Sequence, residues 1–208
     1  MIKIQSQTQG EGVDATTRKS TTWYVRFGVK AVAPLLSNVL KLLPNTYLSQ
    51  IEELQLVRYA GATQGFSFHL DALRRQAATA AAGGQRVGTV LLYLDDCDGG
   101  YTVFKDLEGH DGRRLTVKPQ RGRALIFFPA VTGETALGDT GDFGDVYDDN
   151  TKSDLRTLHA GSPPAANTRK HIAQLWIHAS PHTPVVFGSP SLNTHKAAHE
   201  HIRDYTFG

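Results

Sequence analysis

Three side chains in this sequence are of the types that hold a metal: His69 and Asp71 in His69-Leu70-Asp71, and His159 in Leu158-His159-Ala160-Gly161. Two imidazoles and one carboxylate grip a non-haem Fe(II) on one face and leave the opposite positions open to an organic co-substrate and O₂. The chemistry they suggest is that of an iron oxygenase. Further on, Lys170 stands six residues ahead of Trp176 and adds a cation to the set. A lone His-x-Asp is weak, because nine histidines in 208 residues make chance pairs common, and a surface His beside a solvated Asp is the plainer reading. The pattern gains its weight from its surroundings.

Positioning these groups places demands on the elements that carry them. In a strand, residues i and i+2 share a face, so one short segment can aim His69 and Asp71 at one ion while Leu70 turns away. His159 lies far downstream on another expected strand, so distant strands must become neighbours. Strand-like runs cover Thr21 to Gly28, Leu54 to Tyr59, Gly65 to Leu70, Val87 to Leu94, Leu115 to Val117, Ala124 to Phe128, Leu155 to His159 and Ile172 to His178, separated by Gly, Asp or Pro. From Val29 to Leu43 the apolar positions Val32, Leu35, Leu36, Val39, Leu40 and Leu43 follow helical spacing, with Pro34 tolerable only near the first turn. This is the one convincing helix. Short strands punctuated by turn signals predict a mainly β protein, a sandwich or jelly roll. The small-residue run Ala77 to Ala82 fits a helix end or a loop.

Composition narrows the function class. The length suits one well-buried core, so residues 1–208 are expected to form a single domain, with 1–17, polar and rich in Gln, Thr and Gly, expected loose. The 22 basic and 20 acidic residues leave a net charge of +2 without a basic stripe, so nucleic acid is not an expected partner. A single cysteine, Cys97, rules out an internal disulfide framework and reads as a turn or strand-end thiol. No apolar run reaches the ~20 residues that span a bilayer, and the N-terminus is polar rather than signal-like. A soluble chain is expected, its compartment left open with the cytoplasm slightly favoured. Composition is silent on oligomeric state.

The segment Gly133 to Asp154 breaks the strand rhythm. It carries Glu134, Asp139, Asp142, Asp145, Asp148, Asp149 and Asp154 against Lys152 alone, with several glycines, and can bury little apolar surface. An exposed acidic loop insertion over 133–154 is expected. A solvated insertion is the plain reading, and a substrate lid next to His159 the functional one.

Several runs taken together resemble the catalytic domain of prolyl 4-hydroxylases within the Fe(II)/2-oxoglutarate dioxygenases. They are Glu52 to Asp71, Gly84 to Asp96, Gly99-Gly100-Tyr101-Thr102-Val103-Phe104, Val117 to Leu125, Leu158 to Pro163, and Lys170 to His178, in matching order across about residues 18–180. The resemblance implies a double-stranded β-helix (jelly roll) with one or more N-terminal helices bracing the major sheet. It implies Fe(II) as metal, 2-oxoglutarate as co-substrate, O₂ as oxidant and ascorbate (vitamin C) as reductant. Hydroxylation would be coupled to decarboxylation of 2-oxoglutarate to succinate and CO₂.

Position by position, the resemblance makes His69, Asp71 and His159 the iron ligands. Lys170 takes the place of the cation that binds the distal carboxylate of 2-oxoglutarate, with Arg169 a rival because the interval from His159 is one residue long; counting back from Trp176 favours Lys170. Tyr59 and Thr102 match hydroxyls that help hold the co-substrate, and Trp176 an aromatic lining the site, although each would otherwise be an ordinary strand or core residue. Arg18, Ser20, Glu52, Arg86 and His178 match polar groups of the substrate groove and would otherwise be solvated. Four features depart from the pattern: Tyr101 replaces the acid of Gly-Gly-Glu-Thr, the Tyr59-to-His69 interval is one residue long, the acidic segment is extended, and little chain precedes Arg18. All four touch the rim rather than the metal.

The expected activity is hydroxylation of peptidyl proline in an extended, proline-containing segment. One alternative is the same chemistry on a small molecule such as a free amino acid, which Tyr101 and the altered rim permit. A second is a non-catalytic, metal-binding jelly roll, which would have no need of Lys170, Tyr59 and Thr102 alongside the triad.

Overall fold

The computed structural model describes residues 2–4, 18–25, 29–74, 77–78, 83–132 and 151–182. Among the described residues twelve strands and one α-helix carry the fold: β1 (Ile2–Ile4), β2 (Thr21–Val25), α1 (Ala33–Leu42), β3 (Leu54–Ala60), β4 (Phe66–His69), β5 (Arg86–Tyr93), β6 (Thr102–Glu108), β7 (Arg114–Val117), β8 (Ala124–Phe127), β9 (Ala130–Thr132), β10 (Thr151–Ser153), β11 (His159–Gly161) and β12 (Arg169–His178). They form a six-stranded sheet ordered β1-β2-β3-β12-β5-β8, a four-stranded sheet ordered β4-β11-β6-β7, and the β9-β10 pair. All pairings are antiparallel. This is the expected mainly β jelly roll.

The central strand β12 shows how one sequence serves two layers. Ala173, Leu175 and Ile177 join Leu36 and Val39 of α1, with Leu54 and Val90, in one buried core, so the helix braces the outer face of the large sheet. The alternate position Ile172 packs with Val57, Tyr59, Leu91 and Tyr93, against which Phe66 of β4 and Val117 of β7 also pack. Alternation therefore turns Lys170, Ile172, Gln174 and Trp176 toward the small sheet and the interior of the roll. Pro34 sits in the first turn of α1, where its missing N–H is not needed.

Several expectations are corrected. Leu155 to His159 is not one strand: Asp154 accepts the Arg156 N–H, its carbonyl accepts the Thr157 hydroxyl at 2.6 Å, and these local bonds wind Leu155–Thr157 into a 3₁₀ turn before β11 begins at His159. Residues 2–4, expected loose, pair as β1 with β2, and the rest of 1–17 lies outside the described residues. The acidic insertion is shorter than its expected bounds, since 151–153 pair with 130–132, and 133–150 lie outside the described residues. Strands β6 and β9 were not among the strand-like runs. Of Ala77 to Ala82, only 77–78 are described, as a turn and its successor. Cys97 is buried in the turn between β5 and β6, within the turn or strand-end reading. Among the described residues no helix is long and apolar enough to cross a membrane.

Candidate metal centre and co-substrate pocket

His69 is the last residue of β4 and lies directly opposite His159, the first of β11. Facing positions of an antiparallel pair put their Cβ atoms about 5 Å apart, so the register alone brings together two imidazoles 90 positions apart in the chain. Asp71 does not share a strand with His69, as the i, i+2 argument supposed: β4 ends at His69 and Asp71 sits in the bend that follows. The bend still delivers it, with Asp71 Oδ1 3.6 Å from His69 Nε2 and Asp71 Oδ2 3.9 Å from His159 Nε2. One ligand atom from each residue fits within 4.8 Å of the others.

The tautomers are set by the backbone. His69 Nδ1 donates to the Ser67 carbonyl at 2.8 Å and His159 Nδ1 to the Thr157 carbonyl at 2.9 Å, so the neutral form of each ring carries its lone pair on Nε2. Burial, reinforced by His159, lowers the His69 pKa to about 4, which keeps that ring neutral at physiological pH. Burial alone would raise the Asp71 carboxyl, but His159, His69, Arg86 and the Thr89 hydroxyl outweigh it and hold the group ionised. Asp71 and His159 are each 3 % exposed. A buried carboxylate beside two imidazoles is a donor set for a cation, and its mixed nitrogen and oxygen character suits Fe(II). Phe66 stacks on His69 at 3.4 Å, while Phe104 and Phe127 close in on His159 at 5.6 and 4.9 Å between centroids.

Lys170 pairs in register with Tyr59 and is 2 % exposed, whereas the rival Arg169 points to solvent. Its Nζ lies 5.2 Å from the Tyr59 ring and 5.7 Å from that of Tyr93. It forms no ion pair among the described residues, and burial lowers its pKa to about 8. The ammonium approaches the strand of His159 closely enough that a Cβ on Gly161 would lie 3.9 Å from Nζ. Thr102, also buried, accepts a 2.7 Å hydrogen bond from the Tyr93 hydroxyl. Lys170, Tyr59 and Thr102 thus come together as expected, and Tyr93 joins them.

The expected groove residues divide into two groups. Glu52 accepts from Arg86 Nε at 2.6 Å and Nη2 at 3.0 Å and meets His178 Nε2 at 2.6 Å, while the Arg86 guanidinium lies 3.9 Å over the Trp176 ring. Burial would raise the Glu52 pKa, but Arg86 and His178 overcome it and hold the group at about 2. Arg86 also reaches the Asp71 carbonyl at 3.4 Å, tying this cluster to the metal centre. Arg18 and Ser20 instead bond to each other at 3.1 Å, with Arg18 over the Phe66 ring at 5.0 Å and against the Tyr59 hydroxyl. Thr89, Gln174, Tyr93 and Phe66 are site residues that the motifs did not single out. The signal for Thr89 and Gln174 was a polar side chain at an inward position of an otherwise apolar strand.

Residues 54–178, more than half of the chain, match the family described as the 2OG-Fe(II) oxygenase superfamily. The chain belongs to that superfamily. Its metal and co-substrate, Fe(II) and 2-oxoglutarate, are those the donor set and the buried ammonium suit. Among curated relatives of this oxygenase, a putative prolyl 4-hydroxylase of Acanthamoeba polyphaga mimivirus is 28 % identical over 80 % of this chain and 60 % of its own length. Probable prolyl 4-hydroxylase 11 of Arabidopsis thaliana is 31 % identical over 61 % of this chain and 43 % of its own. The chain thus spans less than two thirds of these relatives. The fold is shared with a viral collagen prolyl hydroxylase from Paramecium Bursaria Chlorella virus-1 in complex with 2-oxoglutarate (TM-score 0.56, 24 % identity, 78 % of this chain and 80 % of the other). It is also shared with a Trichoplax adhaerens prolyl hydroxylase in complex with a hypoxia inducible factor peptide (TM-score 0.52, 20 % identity, 78 % and 64 %).

Proposed function

We propose that this chain is a prolyl 4-hydroxylase acting on peptidyl proline. The observation that carries the reading is the convergence of the His69, Asp71 and His159 ligand atoms beside a buried ammonium, Lys170, that has no anionic partner among the described residues. The mimivirus and Arabidopsis relatives, through their names, support proline as the target.

Fe(II), 2-oxoglutarate and O₂, when bound, supply an oxidation in which decarboxylation to succinate and CO₂ is coupled to hydroxylation of a C–H bond. The chain's residues do the placing. His69 Nε2, His159 Nε2 and one Asp71 oxygen hold the metal against the wall of the roll. Lys170, with the Tyr59 and Thr102 hydroxyls, would hold the distal carboxylate of the co-substrate. Trp176 and the Arg86 guanidinium on its face, fixed by Glu52 and His178, form one wall for the substrate, with Arg18 and Ser20 farther along the co-substrate side. An extended polyproline-like peptide presents its ring with little ordering cost. The aromatic side chains around His159 exclude water, and no side chain is needed as a general base.

Turnover with Fe(II), 2-oxoglutarate, ascorbate and O₂ tests the proposal, using proline-rich peptides against free amino acids. Succinate should form together with a peptide heavier by one oxygen atom on proline. Preference for a free amino acid would replace the peptide by a small molecule, and no succinate with either class would sink the hydroxylase reading.

A further inference from the structure

We propose that Thr89 is a positioning residue that decides which oxygen of Asp71 meets the metal, an inference that rests on the metal-binding reading of His69, Asp71 and His159. Asp71 lies beyond the end of β4, so no ladder of its own strand fixes the carboxylate. Its orientation must come from partners across the roll. Thr89, on β5 of the large sheet and 0 % exposed, donates from Oγ1 to Asp71 Oδ2 at 2.8 Å. Gln174 on β12 offers Nε2 to the same oxygen at 3.5 Å, the outer limit of a hydrogen bond. Neither reaches Oδ1, the oxygen 3.6 Å from His69 Nε2.

A carboxylate can meet a metal through one oxygen or through both. Oδ2, though 3.9 Å from His159 Nε2, is already held by a hydroxyl, which leaves Oδ1 as the freer ligand oxygen. Without that hydroxyl, Oδ2 would keep only the long contact from Gln174 Nε2 as a hydrogen bond among the described residues, and a metal held by Oδ1 would compete for it. Thr89 would thereby hold Asp71 to a single ligand oxygen. Outer-shell donors of this kind typically change metal affinity by about 10–100-fold. A purely structural role for Thr89, filling its buried site, would not depend on the hydroxyl.

Co(II), which reports its coordination through visible absorption, serves as the probe on the full chain. Wild type should bind Co(II) and His159→Ala should not. Thr89→Val, nearly isosteric but without the hydroxyl, should keep the wild-type circular dichroism, bind Co(II) about 10–100-fold more weakly and show a changed absorption spectrum. Thr89→Ser should restore both. Thr89→Ala, read in the same way, replaces the Val variant if that does not fold. A Val or Ala variant with wild-type affinity and spectrum overturns the proposal, as does a Ser variant that behaves like Val. If folded wild type binds no Co(II), the metal reading itself falls; if wild type binds and Thr89→Val is unchanged, only the role of Thr89 falls.

Discussion

Lys170 is the residue on which charge, burial and chemistry meet most directly. Its pKa, lowered by burial to about 8 from an ordinary 10.5, places its deprotonation within an accessible pH range. A co-substrate carboxylate needs the charged form, so the affinity for 2-oxoglutarate should fall as pH rises through about 8, and binding above that pH should take up a proton. Calorimetry in buffers of different ionisation heat would reveal the uptake. For stability the sign is opposite: between about 8 and 10.5 the unfolded chain binds more protons, so the co-substrate-free protein should gain stability as pH rises across that window. Lys170→Ala should raise the KM for 2-oxoglutarate on the order of 10–100-fold, the worth of a charge-assisted hydrogen bond, with little change in metal affinity. A larger effect from Arg169→Ala would transfer the role to that residue. Glu52 illustrates the other direction. Arg86 and His178 hold its pKa at about 2, so its contribution is present above the ordinary 4.5 and lost as pH falls toward 2. Glu52→Gln should cost about 1–3 kcal/mol at neutral pH and progressively less in acid, as thermal melts across that range would show.

At the scale of elements, two features separate bracing from binding. Helix α1 buries Leu36 completely in the core that includes Ala173, Leu175 and Ile177 of β12, on the face of the sheet opposite Lys170, Gln174 and Trp176. Leu36→Ala should cost about 2–5 kcal/mol by denaturant titration while the folded protein binds metal as before; a loss of metal affinity in step with stability would show that the helix shapes the site. The turn before β6 acts the other way. Gly100 has φ +65°, and a Cβ there would meet Lys170 Cδ at 3.0 Å and Cys97 Sγ at 3.4 Å. Gly100→Ala should therefore displace Lys170 and raise the KM for 2-oxoglutarate, with the metal affinity nearly unchanged. An unchanged KM would mean that the lysine stem yields without moving its ammonium.

The whole molecule is held at one point by both sheets. The small sheet carries His69 and His159, while the donors that fix Asp71 come from β5 and β12 of the large sheet. A metal bound there should link the two layers. At a concentration 100 times its Kd it should add about 2.7 kcal/mol to stability, seen as a higher melting temperature that His159→Ala abolishes. If residues 1–208 fold as a single domain, as proposed from their length, the melt should remain one transition with and without metal. Two separated transitions would divide the chain.

The sequence by itself determined the residue types and the local periods. Helical spacing marked α1 and period-two runs marked most strands, while His69, Asp71, His159 and Lys170 stood out because their chemistry is rare in combination and their order matched a known domain. The strand β6 was less legible, since Lys105, Asp106 and Glu108 interrupt its apolar pattern and its pairing with β7 and β11 carries it instead. Leu155 to His159 misled because its local hydrogen bonds, which composition does not weigh, wind a turn. Only the tertiary structure decided that His69 faces His159, that Asp71 is aimed by Thr89 and Gln174, and that Arg86 lies between Glu52 and Trp176. Strand register and sheet order follow from side-chain packing between segments far apart in the chain, and a period read along one segment contains no term for what will lie beside it.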